Sequence, residues 1–204
     1  MKISFYRISL LIVFLFGLNT ITFSQDNNLS YKIELNSNVS SEETLPFWLT
    51  TNKYGAVPNS DNLTLSSGFF QEFKSSSETN KFDFAFGTQL TGSIANENDV
   101  IINQLYGSMK WGKLQLDIGV KNREIVFEGL SSTNGDFSYS NNARSIPGIN
   151  IKLTDYIKLP FAKNWLSIKG NFGEYLLNDK RVVDNTYLHH KSLYFKSQLN
   201  ESLE

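Results

Sequence analysis

From Phe82 to Ala95 the chain places every large apolar residue on one parity, Phe82, Phe84, Phe86, Leu90 and Ile94. Asp83, Gly87, Gln89, Thr91 and Ser93 occupy the other. Successive side chains of a strand point to opposite faces, so the segment reads as one strand with a greasy face and a small, polar face. At about fourteen residues it outruns the usual soluble strand of about five or six. A bilayer-spanning strand needs roughly 9–11 residues and this same division between a lipid face and a lumen face. The pattern therefore predicts a strand of a membrane wall.

The N-terminus carries Lys2 and Arg7, an apolar run from Ile8 to Leu18, and then Thr20, Thr22 and Ser24. About eleven apolar residues fall short of the about twenty that a spanning helix requires, so residues 1–24 read as a secretory leader rather than an anchor. The chain has no cysteine, which excludes disulfides and acylation through an N-terminal Cys. Without the leader, seventeen basic groups face twenty acidic ones, a net charge of about −3. So mild a charge argues against nucleic acid as a partner and against a polybasic membrane-surface patch. Aromatic residues make up 14% of the chain and mean hydropathy is slightly polar. Barrel strands combine these properties, because the lumen face cancels the lipid face and aromatic residues gather at the lipid-water boundary.

Other segments repeat the alternation. Leu29, Tyr31, Ile33 and Leu35 alternate with Ser30, Lys32, Glu34 and Asn36, and Leu63, Leu65, Phe69 and Phe73 with Thr64, Ser66, Glu72 and Lys74. A polar turn from Ser75 to Asn80 makes the Phe82 strand a hairpin partner. Leu105, Met109 and Trp111 oppose Gln104, Ser108 and Lys110. After a tight turn at Gly112 and Lys113, Leu114, Leu116, Ile118 and Val120 oppose Gln115, Asp117 and Gly119. The pattern then lapses into a Gly, Ser, Asn and Asp-rich stretch, Gly129 to Asn142, that reads as a long loop. Strands resume at 150–159, 165–172 and 192–199, and no helix is expected after the leader. The sum is an all-β, antiparallel up-and-down sheet of about eight strands. Periodicity alone also suits a soluble β-sandwich, while strand length and leader favour an outer-membrane β-barrel.

Catalytic signatures are absent from the sequence. The only histidines, His189 and His190, are adjacent and point apart on an extended chain, so they read as a turn entering the last strand rather than a metal site. No nucleophile elbow, zinc-binding helix or phosphate loop is present. The chain reads as a non-enzyme without cofactor or metal. Binding chemistry is more promising at Lys121, Asn122, Arg123 and Glu124 and at Asn141, Asn142, Ala143 and Arg144. Guanidinium forks pair carboxylates and planar amides pair hydroxyls, which suits an acidic polysaccharide. The same residues also make sense as an Arg123–Glu124 lumen salt bridge with turn-capping amides. Trp48 and Tyr54, near Leu45, Pro46 and Phe47, fit either sugar-ring stacking or anchoring at the membrane interface.

Four stretches in order, Leu45 to Gly55, Gln104 through Glu124, Asn142 to Pro147 and Tyr187 to Tyr194, resemble the capsule assembly Wzi family, in the form found in Bacteroidota. The resemblance covers nearly all of residues 25–204. It implies a non-catalytic outer-membrane β-barrel that acts as a surface lectin, attaching or organising capsular polysaccharide. Family members are more than twice this length. The about eight strands would thus be the N-terminal part of a larger barrel, and the chain closes at Glu204 without the terminal aromatic usual in such barrels, as a truncated product would. Outer-membrane lipid and capsular polysaccharide are the expected partners. A porin or channel, and a secreted soluble glycan-binding β-sandwich, are the alternatives.

Overall fold

The computed structural model describes residues 28–74, 82–123, 140–162, 165–178 and 185–198. The expected leader, the Ser75 to Asn80 turn, most of the long loop, Glu124 and Leu199 lie outside them.

Among the described residues, nine strands form one antiparallel sheet: β1 (Leu29–Asn38), β2 (Asn62–Gln71), β3 (Phe82–Ile94), β4 (Asp99–Trp111), β5 (Leu114–Val120), β6 (Gly148–Leu153), β7 (Ile157–Lys158), β8 (Leu166–Leu177) and β9 (Thr186–Ser197). Each pairs with its sequence neighbour through β6; β8 then takes β6 and β7 along one edge and β9 along the other. The meander is up-and-down, as expected, and the sheet is not closed, with β1 and β9 at its edges. Gly112, at φ 57°, opens the two-residue β4–β5 hairpin turn, where a left-handed first position keeps the strands in register. At the other rim, longer connections span 39–61 and 121–147.

Alternation holds from β1 to β6, and burial follows it in reverse; in β8 and β9 the outer parity also carries Glu174, His189 and Lys191. In β2, Asn62, Thr64 and Ser66 are buried while Leu63 and Leu65 are exposed; in β3, Gln89, Thr91 and Ser93 are buried while Phe84, Phe86 and Leu90 are exposed. Thr64 and Thr91 are each 1% accessible, whereas Tyr31 and Ile33 are each 77% accessible. Among the described residues the buried hydrophobics are only Leu45, Ala85, Ile101, Ala162 and Tyr175. The sheet curls around its polar parity: one cavity is lined together by Lys32 of β1, Thr64 of β2, Gln89 of β3 and Gln104 of β4.

β4 keeps the expected opposition of Leu105, Met109 and Trp111 to Gln104, Ser108 and Lys110 and changes parity ahead of it, because Gln89 pairs with Gln104 but Leu90 pairs with Ile102. Asn103 is the extra residue of a bulge, which brings Val100 and Ile102 onto the same outer face as Leu105 and Met109. The strand expected over 150–159 is broken: Thr154 donates its amide to the Lys113 carbonyl (2.8 Å) and Asp155 takes the Lys113 ammonium (2.7 Å), pulling the chain onto the β4–β5 turn. The interruption makes nine strands where about eight were expected. Phe73 leaves the apolar parity, because β2 ends at Gln71 and its ring comes within 5.9 Å of the Lys110 ammonium. His189 and His190 lie inside β9 rather than in a turn, with His189 Nδ1 2.5 Å from Glu174 Oε1. One helical turn, α1 (Phe47–Thr50), and a 3-10 turn at Pro160–Ala162 also interrupt the strands. Among the described residues no helix is long and apolar enough to cross a membrane.

Candidate functional site

The inner face is a polar ladder running across the strands. Ser66 and Thr91 hydroxyls share a hydrogen bond of 2.6 Å, and Asn103 donates to Thr91 (3.0 Å). Gln104 donates to Gln89 (3.1 Å), and Asn171 donates to Asn150 (3.0 Å) while accepting from Ser192 (3.2 Å). Cross-strand pairs of this kind fix register and satisfy buried polar groups. The Asn103 Oδ1 atom is buried yet finds no hydrogen-bond partner. Asn103 lines the same cavity as Gln89, Gln104 and Tyr54.

Glycines set the depth of this surface. A Cβ at Gly87 would stand 2.6 Å from the Phe70 and Tyr106 rings, and one at Gly148 would overlap Tyr175. The aromatic rings therefore lie down on bare backbone, as edge rings do over strand glycines in β-barrels. Cations sit on top of them. The Lys121 ammonium is 4.9 Å from the Tyr106 ring centre and the Arg123 guanidinium 4.8 Å from that of Tyr175, within the range of cation–π attraction. Asp117 Oδ1 accepts from Lys121 (2.7 Å), Gln115 (2.8 Å) and Ser108 (2.5 Å), so one oxygen of the inner carboxylate of β5 gathers three donors.

At the rim the two long connections lock together. Asn142 Oδ1 accepts from the Thr51 hydroxyl and the Asn52 amide, both at 2.7 Å, and the Tyr54 amide donates to the Asn141 carbonyl (2.8 Å). These bonds hold Asn52 (φ 58°) and Tyr54 (φ 52°) in the left-handed region, a strained placement for residues with a Cβ. The Tyr54 hydroxyl then donates to the Arg123 carbonyl (3.2 Å), and burial pushes its phenol above its ordinary pKa, so it stays a neutral donor. The Arg144 stem packs against Gly55, and its guanidinium reaches Asp99 (3.0 Å).

Of the residues singled out from sequence, Tyr54, Arg123 and Arg144 line one rim cleft, together with Asn141. Asn142 lies beside that cleft but uses its carboxamide as a turn cap, the blander of its two expected roles. Trp48 stands apart on exposed α1, its ring edge-on to Phe47 at 5.4 Å. Glu124 lies outside the described residues. Sequence reading missed Tyr175, Lys152, Asn150 and Asn103, which share the inner face without sharing a motif. Three cavities are contiguous through common residues: Tyr54 joins the rim cleft to the cavity over β1–β4, and Arg123 joins it to a trough over β5, β6 and β8.

Among the described residues, no group of three or more His, Cys, Asp or Glu side chains is placed to hold a metal ion. Comparison of the chain with protein-family models, with curated proteins and with solved structures gives no match.

Proposed function

We propose that the chain is the N-terminal part of an outer-membrane β-barrel of the capsule assembly Wzi type, a non-enzymatic protein that binds or organises capsular polysaccharide at the cell surface. The observation that carries the reading is the inverted burial, with Tyr31, Ile33, Phe84 and Leu90 outward and Thr64, Thr91 and Gln89 inward. In water each outward side chain forgoes about 1.5–3 kcal/mol of burial, a loss that hydrocarbon removes. All nine strands belong to one sheet, whereas a sandwich buries its apolar parity between two. Aromatic stacking at one rim, Phe82 on Trp111 at 6.0 Å, suits an interfacial girdle. The longer connections at the opposite rim suit the outward side of such a barrel.

Saccharide binding rests on the polar inner face and the rim cleft. Amides and hydroxyls there match sugar hydroxyls. Cell fractionation tests the whole reading. The full chain is expected in the outer-membrane fraction, released only by detergent, and its deletion is expected to shed capsular polysaccharide into the medium. Recovery of the chain in the soluble fraction without detergent contradicts the proposal.

The same inner face favours a second reading, a porin or channel whose polar parity lines a water-filled bore. Planar-bilayer recording separates the two: steady unit currents support the channel, and little current supports the lectin.

A further inference from the structure

The cavity over β1 to β4, about 300 Å³ in volume, gathers its charge at one side. Of its lining side chains only Lys32, Glu34 and Lys53 are charged, and the amides of Asn36, Asn52, Gln89 and Gln104 make much of the rest. Glu34 gives one carboxylate oxygen to the Lys32 ammonium (2.8 Å) and the other to the Asn36 amide (3.0 Å). The Lys53 ammonium stands 3.8 Å from that second oxygen, within ion-pair range but beyond a hydrogen bond. Two ammonium groups thus share one carboxylate, and the nearer of them already holds it.

Lys53 is the one of the three charges that the sheet itself does not carry. It sits between Asn52 (φ 58°) and Tyr54 (φ 52°), on the turn that Asn141 and Asn142 fasten, and its carbonyl accepts from the Ala56 amide (3.0 Å). Strained backbone of this kind persists only where its surroundings over-determine it, and it gathers at ligand sites. Here it sets a cation over the inner face of β1.

We infer that this cavity is a subsite for a carboxylate-bearing sugar unit, with Lys53 reading the charge and the surrounding amides reading the hydroxyls. The inference rests on the glycan-binding reading and adds the ligand's charge and its place on the inner face. A cation in a concave site walled by protein attracts an anion more strongly than one on an open surface does. Ammonium donors to a carboxylate are among the stronger hydrogen bonds available, and planar amides match sugar hydroxyls. The volume lies at the small end of the roughly 300–1,000 Å³ of ligand sites, which suits a short stretch of a longer polymer. Tyr54 lines both this cavity and the rim cleft, so the polymer has a continuous path between them.

The test uses the full chain, purified in detergent, and three polymers: polygalacturonate, the same polymer with its carboxyls methyl-esterified, and dextran. Polygalacturonate is expected to bind about tenfold tighter than its ester, with the difference shrinking as salt rises. Lys53→Met should reduce that preference to about twofold, and Lys53→Arg should restore it. Glu34→Gln, which removes the competing carboxylate, should raise the preference, and Lys113→Met, at the opposite rim, should leave it as it was. An unchanged preference in Lys53→Met or Glu34→Gln, or an equal fall in Lys113→Met, overturns the subsite. Equal binding of acid, ester and dextran also overturns it while leaving glycan binding intact. Binding of none of the three overturns both.

Discussion

The outer and inner faces of this sheet are built from the same strands and obey opposite rules. On the outer face of β1 to β6, side chains are large and apolar, and most are exposed; they make few specific contacts beyond ring pairs such as Tyr31 on Phe69 at 5.1 Å. On the inner face they are small, amide-bearing or charged, with a few rings laid over glycines, and many are hydrogen-bonded to one another across the strands. The difference teaches that polarity and burial are independent quantities here. The outer face is specified by its solvent, and any residue of the right hydrophobicity serves. The inner face is specified by geometry, because a buried polar group without its partner costs free energy.

Substitutions that cross this division should have the largest effects. Leu90→Arg on the outer face is expected to destabilise the chain folded in lipid vesicles by about 2–4 kcal/mol in urea titration. Its neighbour Gln89→Arg, on the inner face, loses the Gln104 hydrogen bond and should cost about 1 kcal/mol. Equal costs would break the assignment of faces. Next is Lys121→Met, which strips Asp117 of its cation in a site where both side chains are largely buried. A loss of about 2–3 kcal/mol is expected by the same titration, and a much smaller loss would mean that water screens the pair. Tyr175→Leu removes the ring beneath Arg123 and should cost about 1 kcal/mol in stability by the same titration, and no loss would mean that the ring contact contributes nothing.

Effects at the turns should be smallest. The Lys113 ammonium hydrogen-bonds Asp155, and the Tyr156 amide adds a second bond, holding the Asp155 carboxyl below the ordinary carboxylate range. A depressed folded-state pKa contributes stability above the unfolded value, and that contribution is lost as pH falls through the folded value. Lys113→Met should move the Asp155 carboxyl titration upward, as followed by NMR, with little change in overall stability, because the pair is fully exposed. An unmoved titration would remove Lys113 as the cause of the β6–β7 interruption.

Much of the division was legible in the sequence because parity is a local property. Phe82 to Ile94 announces both faces without any knowledge of its neighbours, and so do Leu114 to Val120. What was not legible depends on other strands. The bulge at Asn103 arises from how β4 meets β3, and the β6–β7 break arises from Lys113, which lies far back in the chain. His189 and His190 look like turn residues until β8 supplies Glu174 opposite. Arg123 and Arg144 were visible as unusual cations in loops, and Tyr54 as an aromatic near a Pro-Phe-Trp run. Tyr175 was not, since an aromatic on the polar parity gains its meaning only from the glycines beneath it.

The central claim is that the outer parity faces hydrocarbon, and the cysteine-free chain allows it to be tested residue by residue. Single cysteines placed in turn from Phe84 to Thr91 in β3, labelled with a nitroxide and reconstituted in bilayers, report accessibility to oxygen and to a water-soluble nickel chelate. Oxygen accessibility is expected to peak at 84, 86, 88 and 90 and nickel accessibility to remain low there, with a period of two. Nickel contact at 84, 86 and 90, or no alternation along the strand, would contradict the account.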